Sequence, residues 1–147
     1  MATFKTVQVE ARLGDKFKVE SRIRKHLLYV DQPPAGGGED AGPTPLEYLF
    51  LSLAGCVATI GRIIAHQRRI QLRGMEVKVE GELDTATLLG KSEENRAGFT
   101  RIRVLVKIDA DMTRGEKEKF LEEIDLRCPI SDNIKNGAPI SYEAVEP

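Results

Sequence analysis

The stretch Thr44-Pro-Leu-Glu47-Tyr-Leu-Phe-Leu-Ser-Leu-Ala-Gly-Cys56-Val-Ala-Thr-Ile60 decides how the rest of the chain is read. Thr44 is a helix-capping residue, Pro45 suits the first helical position, and Glu47 stands three residues after the cap. Together they form a capping box, in which cap and acid satisfy each other's backbone N–H. These signals predict a helix from Pro45 to about Arg69. Leu46, Leu49, Phe50, Leu53, Val57, Ile60 and Ile64 cover more than half its circumference through Ile60. A helix that is apolar nearly all round is expected to be buried. Gly55 and Gly61 would let another backbone approach, and the helix turns polar at His66-Gln-Arg-Arg69.

Upstream, the chain reads as strands. Val7, Val9, Ala11 and Leu13 alternate with Gln8, Glu10 and Arg12, and Gly14-Asp15 makes a turn. Second and third strands are expected over residues 16–20 and 24–30, giving an antiparallel meander. Between meander and helix, Gln32-Pro-Pro-Ala-Gly-Gly-Gly-Glu-Asp-Ala-Gly-Pro43 is too rich in Pro and Gly for a helix or a central strand. It is a long loop, and long loops in compact domains tend to be functional or mobile.

Downstream, Val77, Val79 and Leu83 alternate with charged residues, as do Ile102, Val104, Val106 and Ile108. Both patterns predict strands with one wet face, as in antiparallel sheets. A polar connection, Thr85 to Gly98, separates them. Thr113 then caps an amphipathic helix with an inner stripe of Phe120, Leu121, Ile124 and Leu126. Cys128-Pro129 interrupts that helix, because proline disfavours helix at the preceding residue. A short helix from Pro129 to about Lys135 and a last strand from Pro139 to Val145 complete the order β-β-β-α-β-β-α-α-β.

At 147 residues the chain is one domain, residues 1–147, or one domain completed by a partner chain. Apolar residues make up 41%, enough for a core, and the net charge of −1 offers no basic surface for nucleic acid. The N-terminus has no apolar signal segment, and the run from Leu46 to Ile64 is too interrupted and too short for a membrane span. A cytoplasmic protein is the expectation. In that compartment two cysteines are more often catalytic, metal-binding or core than a structural disulfide.

Cys56 and Cys128 are the only cysteines, 72 positions apart. Cys56 on an apolar helix reads first as a core residue, since free cysteine is among the most buried types. Cys128 stands at a helix start, where backbone N–H groups help a thiol toward thiolate. If the fold joins them, one thiol reacts and the other resolves. Zinc is disfavoured, because only His26 and His66 are available as histidine ligands and no pair has tight spacing. Glu47 has its capping role, and Arg22 and Arg24 read first as a solvated strand face.

The stretch Asp31 to Cys56, together with Asn95-Arg-Ala-Gly-Phe99 and Arg127-Cys-Pro-Ile-Ser-Asp-Asn133, resembles the OsmC/Ohr superfamily of thiol-dependent peroxidases. The resemblance spans most of the chain. It implies an α+β, intertwined homodimer whose two long central helices are wrapped by antiparallel sheets from both chains. It also implies that Cys56 attacks an organic hydroperoxide, becomes a sulfenic acid, and is resolved by Cys128 to a disulfide. A dithiol or a lipoylated protein would reduce that disulfide, with no bound cofactor. An Arg held by a Glu activates the thiol in this superfamily, and Arg24 and Glu47 are the residues assigned, with Arg22 the alternative. In the well-studied peroxidases the acid directly follows the proline; here Leu46 stands there and Glu47 comes one place later. One residue turns a helical side chain by about 100°. Two other readings stay open: a non-enzymatic dimer that binds a small molecule in a cysteine-lined cleft, and an inert core with two structural cysteines.

Overall fold

The computed structural model describes all residues, 1–147. The chain is α+β, with antiparallel sheets and one long helix, and it forms two compact units, Met1–Leu49 and Phe50–Pro147.

The first unit holds the meander. Strands β1 (Ala11–Leu13), β2 (Val19–Ile23) and β3 (His26–Val30) pair antiparallel in that order. The third strand starts two residues later than expected. Ile23 pairs with His26, so Arg24 and Lys25 form the turn, and Arg24 takes a left-handed φ of 55°. β1 is also shorter than its alternation predicts, since Val7 and Val9 are exposed and outside any strand. Alternation supplies one apolar face, but a strand forms only where a neighbour accepts its hydrogen bonds.

Asp31 organises the loop that follows. Its buried carboxylate accepts the backbone N–H of Gln32 at 2.8 Å, of Glu39 at 3.2 Å and of Ala41 at 3.0 Å. The Ala41 bond above all holds the Asp31 carboxyl below the usual range, with burial opposing and the other two N–H bonds and Lys18 assisting. A side chain at position 38 would collide with the Gln32 carbonyl, so glycine is required there. The loop delivers the chain to Thr44. The Thr44 N–H donates to Glu47 Oε1 at 2.9 Å and the Glu47 N–H to Thr44 Oγ1 at 3.3 Å, the capping box read from the sequence.

Helix α1 (Pro45–Arg68) has residues 45–49 in the first unit and 50–68 in the second. It is buried along one stripe, Leu53, Val57, Gly61, Ile64 and Ala65, rather than all round. Leu51 is 60% exposed, because this chain's sheet covers only one helix face. Gly61 admits the Met75 side chain, whose sulfur would lie 2.7 Å from an added Cβ, rather than another backbone. Gly55 faces open space. The helix has 24 residues and a mean hydropathy of 1.8 over its most apolar 18-residue window, so length and composition alone would let it cross a membrane. The sequence expectation that it is too short is corrected on that point.

The rest of the second unit packs against this stripe. β4 (Leu72–Leu83) and β5 (Phe99–Ala110) pair antiparallel, with Met75 opposite Ile108, Val77 opposite Val106 and Val79 opposite Val104. Their connection contains a one-turn helix, α2 (Thr85–Leu88), capped by Asp84, which also accepts Asn95 Nδ2 at 2.9 Å. Helix α3 (Arg114–Arg127) starts at a capping box of Thr113 and Glu116, and α4 (Pro129–Asn136) follows after one residue. Ile64, Phe120, Ile124 and Cys128 are almost wholly buried in one cluster with Leu53, Val57, Leu72 and Ile108. Each fully buried aliphatic side chain contributes roughly 1.5–3 kcal/mol.

Two further expectations need correction. Leu126 is 83% exposed, since it stands two residues past Ile124, about 200° round the helix from the Phe120–Ile124 stripe. Residues 139–145 form no strand; Ile140, Tyr142 and Val145 are exposed, with no neighbouring strand in this chain to pair with.

Candidate functional site

Cys56 sits on α1 between the buried Leu53 and Val57, and is itself half-buried. Cys128 closes α3 and opens α4, because Pro129 after it cannot continue the α3 hydrogen-bond ladder. Its φ of −83° and ψ of 110° are extended, as a helix cap requires. The fold brings the two free thiols together, with the Cys128 S–H donating to Cys56 Sγ across 2.7 Å. Cys128 is 1% exposed, so Cys56 is the sulfur that a solute meets first.

The first turn of α4 faces both sulfurs. The Ser131 N–H donates to Cys128 Sγ at 3.4 Å, placing sulfur where a serine or aspartate oxygen usually caps a helix. The Ile130 N–H donates to Cys56, which draws its thiol toward ionisation. Burial works against this and is the stronger influence. Together with the neighbouring Cys128 sulfur it pushes the Cys56 thiol up to about 11. No cation is among these influences. Arg127, although adjacent to Cys128, spends its guanidinium on Gln67 at 3.0 Å and Glu123 at 3.1 Å. Arg68 meets the same Glu123 at 2.5 Å, so these pairs tie the end of α3 to the end of α1.

Asp125 in the last turn of α3 was not singled out by sequence reasoning, and neither were Ser131 and Lys135. Ser131 Oγ donates to Asp125 Oδ1 at 2.5 Å, and Lys135 Nζ reaches Asp125 Oδ2. Lys135 first, and Ser131 second, hold the Asp125 carboxyl below the usual range. The available signal was the spacing in Cys128-Pro-Ile-Ser131, which puts Ser131 three residues after the capping residue.

A groove of about 160 Å³ lies among Leu53, Val57, Val104, Val106, Leu121 and Ile124, and closes on Asp125 and Ser131. Its walls come from α1, β5 and α3, and its one polar end carries the residues that bracket Cys128. A larger depression, about 400 Å³, is bordered by Arg68, Asp111, Glu116 and Lys119 and by neither cysteine. No three side chains among His, Cys, Asp and Glu converge as a metal-ligating group would.

Glu47 and Arg24 belong to the first unit. Glu47 is engaged in its capping box, where the Thr44 N–H and then the Thr44 hydroxyl hold its carboxyl below the usual range. Arg22 on β2 and Arg24 in the β2–β3 turn are exposed.

Comparison with curated proteins gives no match. Among solved structures the chain is similar to an OsmC-like protein from Mycoplasma pneumoniae, with 18% identity, a TM-score of 0.78, and 91% of this chain and 90% of that one covered. It is also similar to an organic hydroperoxide resistance protein OsmC from Legionella pneumophila, with 21% identity, a TM-score of 0.69, and 92% and 93% covered. A third, an organic hydroperoxide resistance protein from Elizabethkingia anophelis, has 18% identity, a TM-score of 0.69, and 92% of each chain covered. At these identities the likeness is one of fold. The family profile described as OsmC-like protein matches residues 36–143, which include most of the loop, α1, both long strands and both cysteines. Fold and profile agree, and the chain belongs to the OsmC-like family.

Proposed function

We propose that this protein is a thiol-dependent peroxidase that reduces organic hydroperoxides, with Cys56 attacking and Cys128 resolving. One observation carries the reading: two sulfurs 72 positions apart in sequence meet across 2.7 Å in the fold. The Cys56 thiolate attacks the outer peroxide oxygen, the O–O bond breaks, and the alkoxide leaves as the alcohol after taking a proton. Cys56 is then a sulfenic acid. Cys128 attacks the Cys56 sulfur, hydroxide leaves as water, and a disulfide remains. An external dithiol, free or carried as lipoyl on a protein, gives two electrons and two protons to restore both thiols.

The order of roles follows exposure, since the half-buried Cys56 can meet a solute and the buried Cys128 cannot. The apolar groove beside Leu53 and Val57 suits an organic tail, and some solved relatives are named for organic hydroperoxide resistance. Ionising Cys56 requires a cation; the family resemblance calls for an Arg held by a Glu, for which Arg24 with Glu47 is the first choice and Arg22 the alternative. The open face of α1, with Leu51 at 60% and Ile63 at 39% exposure, suits a second copy of the chain, hence a homodimer, and the cytoplasm is the compartment proposed for it. The decisive experiment measures consumption of cumene hydroperoxide, t-butyl hydroperoxide and hydrogen peroxide with dithiothreitol or a lipoylated protein. The two organic peroxides should be preferred and Cys56→Ser should be inactive; absence of turnover with all three would sink the reading.

A second reading has its own support. A Cys56 thiol at about 11 and a Glu47 committed to its cap favour a binding protein whose cysteines merely line a cleft. Native mass spectrometry of purified protein would then show a carried small molecule alongside the absence of turnover.

A further inference from the structure

A neutral thiol is a weak hydrogen-bond acceptor, so the Ser131 N–H bond to Cys128 Sγ does not by itself fix the start of α4. The stronger tie is Asp125. From the last turn of α3 its carboxylate receives the Ser131 hydroxyl on one oxygen and the Lys135 ammonium on the other. Bonds to a charged acceptor are shorter and roughly twice as strong as neutral ones. Ser131 therefore faces two ways: its N–H points at the Cys128 sulfur while its side chain is held by the carboxylate. Both residues touch Cys128 or its helix, and neither hydrogen-bonds to Cys56. We infer that Asp125 and Ser131 are positioning residues for Cys128, bracketing α3 to α4 so that its sulfur stays in register to close a disulfide with Cys56.

This rests on reading the two cysteines as a redox pair, and can be tested without any peroxide. In a glutathione buffer, glutathione disulfide takes two electrons and two protons from the two thiols. It yields the 56–128 disulfide and two molecules of glutathione. Closure is followed by mass spectrometry after acid quench and alkylation of the full chain. In Ser131→Ala the rate of closure and the equilibrium constant should each fall about tenfold, the scale of a lost bond to a charged acceptor. Direct alkylation of Cys56 in the reduced protein should stay within about twofold, since Ser131 acts on the other sulfur. Ser131→Thr, which keeps the hydroxyl, should recover closure; a purely structural role would not separate Thr from Ala. Closure in Ser131→Ala equal to wild type, or no recovery in Ser131→Thr, overturns the inference. Should Ser131→Ala fail to fold, Lys135→Met on the exposed side of the bracket carries the test, with a fall of about threefold expected and no fall refuting it. Closure in glutathione without hydroperoxide turnover would refute the proposed activity and leave the positioning role standing. A wild-type pair that never closes in glutathione overturns both.

Discussion

Removing the Arg24 guanidinium should return Cys56 to the thiol that its immediate surroundings dictate. Burial and Cys128 set that thiol at about 11, which leaves a thiolate fraction on the order of 10⁻⁴ at pH 7. A cation that brought the thiol to neutrality would raise the fraction to about one half, a gain of roughly 5,000-fold. The gain in rate is smaller, because nucleophilicity falls as basicity falls. With a Brønsted slope near 0.45, four units cost about 60-fold, leaving a net advantage of about 100-fold at pH 7. The assay is alkylation of fully reduced protein by iodoacetamide from pH 5.5 to 10, with the Cys56 peptide quantified by mass. Wild type should level off near neutrality, whereas Arg24→Ala should climb about tenfold per pH unit to pH 10 and react about 100-fold more slowly at pH 7. Arg22→Ala should follow wild type. Superimposable profiles for wild type and Arg24→Ala would show that Arg24 supplies nothing to the thiol. A climb without a plateau in wild type would show that no cation reaches it, and would favour the binding reading.

Ile124, 1% exposed and part of the groove wall, should cost about 2–5 kcal/mol when replaced by Ala, read as a lower urea midpoint with unchanged m-value. Asp31 has a folded-state carboxyl below its unfolded value, so its contribution is present above about pH 4 and is lost as pH falls through the lower folded value. Asp31→Asn should therefore flatten the acid limb of the stability curve and expose the 32–43 loop to proteolysis at pH 7; an unchanged acid limb would contradict the N–H cradle. Leu51→Glu on the open face of α1 should convert a dimer to monomer in sedimentation equilibrium, and a monomeric wild type would remove the reason for the substitution.

The helix starts and the two long strands were legible because their signals are local. Thr44-Pro-x-Glu47 names a helix start within four residues and its box forms, and Thr113 caps the helix that it was read to cap. Alternation located β4 and β5 because each has the other as a neighbour over its whole length. The same alternation misled at residues 7–10, and the strand expected at 139–145 also fails, because neither segment has a partner strand. Burial of α1 was overstated for a related reason: periodicity tells which residues would accept cover, and not whether this chain provides it. For the site, the sequence offered two cysteines of contrasting surroundings but no distance between them; proximity depends on how α3 folds back onto α1, which spacing does not encode. Asp31, Asp125 and Ser131 escaped notice because each acts through partners that a lone Asp or Ser does not announce.

Cys128 terminates one helix and begins another, and its sulfur lies against a third. A covalent bond at that single atom would therefore fasten α1, α3 and α4 at one point and close a loop of 72 positions. Chain-entropy reasoning assigns such a closure about 4 kcal/mol of stabilisation. The oxidised protein should then melt several degrees above the reduced one, so each catalytic cycle would alternate between a stiffer and a looser molecule. Heat tolerance becomes a readout of redox state: a thermal-shift trace taken with and without reductant should report how much of the pair is joined.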